Sequence, residues 1–173
     1  MGGRSSVLIN PKRGGGVSSI SAALQLTEGG RVKNLMVVLD QEGDKLEEIL
    51  GRAEGKLHES GVNFEIDVEE GRLRTYNCTR AHREFRTLVV VNGLDKPYSM
   101  HTIEDHLLEF SERVLGENVG GVLDAINKYP KEAWEKLEDK HQAVYSRLLE
   151  AKEKELEQIF PQHMRALDLL QER

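Results

Sequence analysis

Apolar residues fall along this chain in two rhythms that take turns. Leu35-Met36-Val37-Val38-Leu39 is a run without polar interruption, the pattern of a strand covered on both faces. Leu88-Val89-Val90-Val91 repeats it and ends in Asn92-Gly93. Between the two runs, Leu46, Ile49, Leu50, Ala53 and Leu57 recur at helical spacing and predict an amphipathic helix that stops near Gly61. Residues 62–68 alternate (Val62, Phe64, Ile66, Val68) as a half-exposed strand does. A turn at Glu70-Gly71 then predicts an antiparallel partner over 72–78. Upstream, residues 5–10 read as a short strand closed by Pro11, and 17–26 as a helix ended by Gly29-Gly30. Downstream, a helix is expected over 102–115, and everything after Gly121 reads as helical. Pro130 opens a long helix with Trp134, Leu137, His141, Val144 and Leu148 on its buried edge. Pro161 stops it, and a last helix covers 163–170.

Strands alternating with helices predict an α/β fold: a mostly parallel central sheet with flanking helices, plus a helical C-terminal extension. On this reading residues 1–120 form the α/β domain and residues 121–173 the extension packed on it. Ligands of such sheets bind beyond the carboxyl ends of the strands. Three loops stand there, spanning residues 10–16, 40–44 and 92–101.

Composition narrows the setting. The chain has 173 residues, 38% hydrophobic and 31% charged, enough for one core with a large solvated surface. No apolar run approaches the roughly 18 residues of a membrane helix, so no membrane partner is expected. A lone Cys78 excludes an intrachain disulfide and a multi-cysteine metal site, which points to a cytoplasmic setting. The net charge of −6 argues against a general nucleic-acid coat protein. Charge is blocked, however: residues 34–71 carry eleven acids against three bases, and residues 72–98 six bases against two acids. A basic rim around an acidic centre suits a phosphate gripped beside a metal; ordinary surface heterogeneity fits as well.

The acids sit where a site would be. Asp40 directly follows a buried strand and Glu42 lies two residues on, a spacing that can hold Mg²⁺ or Mn²⁺ through oxygen ligands. Asp44, with Glu47 three residues later, fits a helix N-cap better than a metal ligand. Glu104 and Asp105 open the helix after the second apolar strand. Asp105 there is a natural capping partner of Thr102, and Glu104 a third carboxylate for one metal or the start of a second. His101 and His106 are available beside them. Lys12, Arg13, Gly14, Gly15 and Gly16 put two cations and flexible amides ahead of a helix, an anion site without a Walker or dinucleotide pattern. Arg72, Arg74, Arg80, Arg83 and Arg86, with Tyr76 and His82 among them, suit a phosphate-tracking strip with a stacking option, or simply a soluble edge. Cys78 reads as a buried thiol.

Taken in order, three of these segments resemble the motifs of Toprim-like domains, found in primases, topoisomerases and overcoming-lysogenisation-defect nucleases. The segments are Val7-Leu8-Ile9-Asn10, Val37-Val38-Leu39-Asp40-Gln41-Glu42 and Thr102-Ile103-Glu104-Asp105-His106-Leu107-Leu108. The likeness covers residues 5–115 and is nearest to small stand-alone members that also carry a helical tail. It implies a Toprim/Rossmann-like fold and Mg²⁺-dependent phosphodiester chemistry on nucleic acid, with Asp40, Glu42 and Glu104 as catalytic carboxylates and Asp105 beside them at the metal. Two positions depart from the family pattern. Asn10 stands where the first acid is expected, and an amide cannot shuttle a proton at neutral pH; Glu42 replaces the second aspartate. The alternative is a non-catalytic binding or scaffold module with the same fold that forms homo-oligomers through its C-terminal helices.

Overall fold

The computed structural model describes residues 16–28 and 32–172. The expected strand over residues 5–10, with Asn10, and the anion-loop residues Lys12, Arg13, Gly14 and Gly15 lie outside them. Gly16 opens a short 3-10 turn, Gly16–Ser18, that runs into α1 (Ser19–Gln25). Next come β1 (Asn34–Asp40), α2 (Leu46–Glu59), β2 (Asn63–Glu70), β3 (Leu73–Arg80), β4 (Arg83–Asn92) and α3 (Ile103–Leu115). The helical half holds α4 (Val119–Ala125), α5 (Pro130–Lys136), α6 (His141–Leu149), α7 (Glu153–Ile159) and α8 (Pro161–Gln171).

The four strands lie in the order β1-β4-β3-β2. Only β1 and β4 pair in parallel; β3 pairs antiparallel with both β4 and β2. The expectation of a mostly parallel sheet is therefore corrected. The cause is loop length, because two-residue connections permit only antiparallel neighbours. Gly71-Arg72 joins β2 to β3, and Ala81-His82 joins β3 to β4. The second loop has both residues at positive φ, 48° and 64°, as the tightest hairpin turn demands. Asn and Gly usually occupy such a turn, so Ala81-His82 gives little warning of it.

Side-chain alternation gives the sheet two apolar faces. On one, Leu35, Val37 and Leu39 of β1, Tyr76 and Cys78 of β3, and Val89 and Val91 of β4 pack against Ile20 and Leu24 of α1 and Ile49, Leu50, Ala53 and Leu57 of α2. On the other, Leu73, Leu88 and Val90 pack against Ala166 and Leu169 of α8. Leu88 and Val90 have no exposed surface, and burial of such a side chain contributes roughly 1.5–3 kcal/mol. The last helix is thus the lid of the second sheet face. A third cluster, centred on Leu108, Phe110, Trp134, Val144 and Ile159, holds α3 through α7 together.

The long helix expected between Pro130 and Pro161 is instead three short helices. Trp134 and His141 show why. Seven residues apart on one helix, they would stand about 10 Å apart along its axis. Their rings instead stack at 4.0 Å and 10°, and His141 Nε2 donates to the Trp134 carbonyl at 2.9 Å. A 3-10 turn, Glu138–Lys140, makes the bend. A second break at Ala151-Lys152 is spanned by the Arg147–Glu155 ion pair at 2.8 Å. Both breaks let Val144 and Ile159 reach the same core.

Candidate functional site: the carboxyl edge of β1 and β4

Parallel register sets Asp40 opposite Asn92, so both strands end at one lip. Asn92 Nδ2 donates to Asp40 Oδ1 at 2.8 Å, and the Ile103 N–H donates to the same oxygen at 3.1 Å. Ile103 is the first residue of α3. Asp40 therefore caps a helix that begins 63 residues later in the chain, and its negative charge faces the positive end of the helix dipole.

The loops around Asp40 are also tied to each other. Glu42 and His101 form an isolated antiparallel bridge, Glu42 N–H to His101 carbonyl at 2.8 Å and His101 N–H to Glu42 carbonyl at 2.9 Å. Glu42 takes φ 55° to make it, and its side chain points to solvent. Glu104, the second residue of α3, is half-buried. The loop after β1 and the start of α3 thus meet through the Glu42–His101 backbone bridge and the Asp40–Ile103 bond. Asp105 is wholly buried and its oxygens are occupied. Oδ1 accepts from the Thr102 N–H at 3.3 Å, the capping contact expected of it, and Oδ2 from the Leu94 N–H at 3.2 Å and His101 Nδ1 at 2.8 Å.

This donor set does not fit the divalent ion that the resemblance implies. One oxygen of Asp40 and both of Asp105 already accept hydrogen bonds. Among the described residues no group of three or more His, Cys, Asp or Glu side chains is arranged to hold a metal. Asp44 is not the expected N-cap either. Lys45, extended at ψ 145°, occupies that position, which puts Asp44 one residue too early; its carboxylate pairs with Arg52 instead.

A second layer of polar groups, missed in the sequence, lies beneath Asp40. His106 Nε2 receives the Gly93 N–H and Gln162 Nε2, each at 3.1 Å, while Nδ1 meets the Ile159 carbonyl. An N–H only donates and a carbonyl only accepts, so His106 is neutral with its proton on Nδ1. Burial pushes its pKa down accordingly. Gln162 Nε2 also reaches the Gly93 carbonyl at 3.1 Å and that of Val91 at 3.3 Å. Gly93 itself sits at φ 127°, where a Cβ would come within 2.6 Å of His101 Cβ and 2.8 Å of Arg72 Nη1. Finally, His163 Nε2 donates to Asn92 Oδ1 at 2.8 Å. The order Asp40–Asn92–His163 thus runs from the acidic loop to the last helix.

Of the arginines expected to form a phosphate strip, Arg72, Arg74 and Arg86 are engaged internally, whereas Arg83 stays exposed. Strand alternation sends Arg74 and Arg86 to opposite faces of the sheet, each 6% exposed. Arg74 meets Glu47, Glu54 and Glu69. Arg86 meets Asp67 at 2.8 Å and the Leu169 carbonyl at 2.9 Å. Arg72 donates to Gln41 and to the Asn92 carbonyl, Arg80 pairs with Glu28, and Arg83 reaches the Thr27 carbonyl. Tyr76, the proposed stacking ring, is fully buried with its hydroxyl on Glu54 at 3.1 Å. Cys78 is buried as expected, and burial raises its thiol pKa. No helix among the described residues is long and apolar enough to cross a membrane. Compared with known proteins, the chain matches no family model, no curated protein and no solved structure.

Proposed function

We propose that the chain is a non-catalytic binding or scaffold module with a Toprim-like arrangement, whose carboxyl-edge acids hold the fold together. One observation carries the reading: Asp40 spends one oxygen on Asn92 and Ile103, and Asp105 both of its oxygens on Thr102, Leu94 and His101. A catalytic carboxylate pair needs those oxygens free for the cation. A partner is best met on the helical half, where α6 leaves Leu149 90% and Tyr145 46% exposed. A second copy of this chain is the partner to test first.

Calorimetric titration with Mg²⁺ and Mn²⁺ to millimolar concentration, paired with a nicking assay on supercoiled DNA, tests the main claim. No saturable heat and no metal-dependent nicking are expected. Saturable Mn²⁺ binding that disappears in Asp40→Asn, together with nicking, would restore the metal-dependent phosphodiester reading. Light scattering over a concentration series, with Leu149→Glu as control, reads the self-association arm.

A further inference from the structure

The contacts of His163 set a condition on its charge. Its Nε2–H donates to Asn92 Oδ1, whose amide is oriented by Asp40 on the far side. The other nitrogen, Nδ1, is buried and has no hydrogen-bond partner. Around it stand the His106 ring at 5.2 Å and the Phe160 ring at 5.6 Å, both edge-on. Each packed element offers little to a cation. From α3 comes His106, itself neutral, with Asp105 and Glu109 acting on that ring from its own helix. Arg72 adds positive charge from the β2–β3 turn, and Asp40 of β1 stands one amide away behind Asn92. A proton on Nδ1 would create a buried charged donor without an acceptor.

Besides His163, the helix that carries this ring is held to the sheet, among the described residues, at four places, one of them titratable: Arg165 pairs through two nitrogens with Glu70 of β2 at 3.1 and 3.2 Å. Gln162 grips Val91 and Gly93, the Leu169 carbonyl receives Arg86, and Ala166 and Leu169 cover Leu73, Leu88 and Val90.

We propose that His163 is an acid-operated latch: its neutral ring closes α8 onto the end of β4, and protonation lifts α8 off the second face of the sheet. Lifting would uncover Leu73, Leu88 and Val90, and would release Asn92 and with it Asp40. The device is independent of whether the edge ever holds a metal. Burial first and His106 second bring the His163 pKa down from 6.5 to about 4. Because the closed form resists the proton, the latch is intact above pH 6.5, weakens as pH falls from there and is fully lost only below pH 4. Between pH 6.5 and 4 one proton raises the opening constant by roughly 80-fold, toward a limit of about 300-fold at lower pH.

Hydrogen exchange of the α8 amides, expressed as protection factors between pH 7.5 and 4, reads this directly. In the intact protein, α8 protection should fall steeply below pH 6.5, ahead of the β2–β3 hairpin. His163→Gln keeps an N–H for Asn92 but cannot titrate, so its α8 protection should hold between pH 6.5 and 5, above the range in which Glu70 gives up its pair with Arg165. Equal slopes in the two proteins would overturn the proposal. Should the variant fail to fold, the His163 ring can be titrated by NMR in the intact chain. A midpoint well below 6.5 that moves with α8 opening supports the latch, and a midpoint near 6.5 with α8 still protected refutes it.

Discussion

Two polar clusters are sunk into this molecule, and they are built on opposite terms. Beneath α2, the Arg74 guanidinium meets Glu54, Glu69 and Glu47, whose side chains are 27%, 53% and 74% exposed. Burial opposes the charge on Arg74, but the hydrogen bonds it donates to Glu54 and Glu69 outweigh it and raise the pKa. At the carboxyl edge, beside the buried Asp105 carboxylate, the layer beneath Asp40 is neutral: His106, Gln162, Asn92, the half-buried His163 and the backbone of Gly93. The first cluster answers one charge with several, so losing a partner leaves others within reach. In the second, Gln162 Nε2 and His106 Nε2 are each shared among several partners, and His163 Nδ1 has none. A charged cluster at a rim degrades by steps, whereas a neutral buried one fails as a unit.

The sharpest way to break that contrast is Gly93→Ala. The added methyl meets His101 Cβ at 2.6 Å, a backbone-anchored atom that cannot swing aside, and φ 127° is unfavourable for any L side chain. Strain and overpacking together should cost about 3 kcal/mol in urea unfolding. A cost below ~1 kcal/mol would show that the edge yields as easily as the rim does. Next in size is Arg74→Met, which fills the same volume but leaves Glu54 and the Tyr76 hydroxyl facing each other. Breaking a buried pair costs about 3–5 kcal/mol; with these partners open to water, about 2 kcal/mol is expected.

What could be read ahead of the structure, and what could not, divides along the same line. The two apolar strands, the position of Asp40 and the Thr102–Asp105 contact were legible because each depends on neighbours a few residues away. The Ala81-His82 hairpin was hidden because its residues take positive φ without the usual Asn or Gly. His163 was passed over because its partner Asn92 lies 71 residues away, a distance no periodicity reports. The arginines looked like a basic strip in the linear text, and the pleat then turned Arg74 and Arg86 to opposite faces. The helical tail read as an appendage because its stripe fixes an apolar side but not the sheet face it covers.

Asp40 is the exposed charge that hydrogen-bonds directly to Asn92, so it tests where the neutral cluster ends. Asp40→Asn retains a carbonyl oxygen able to accept from Asn92 and from the Ile103 N–H, and removes only the charge facing the start of α3. The loss expected is therefore the charge–dipole part alone, about 0.5–1 kcal/mol at low salt. That corresponds to roughly 1–4 °C in Tm for a chain of this size. High salt should narrow the gap between the two proteins, because an exposed charge is screened and a hydrogen-bond pattern is not. A salt-insensitive loss as large as that of Gly93→Ala would mean that Asp40 belongs to the buried knot, with its second oxygen committed as firmly as its first. A small, screenable loss keeps it on the rim, where a carboxylate can cap α3 and still meet whatever the edge binds.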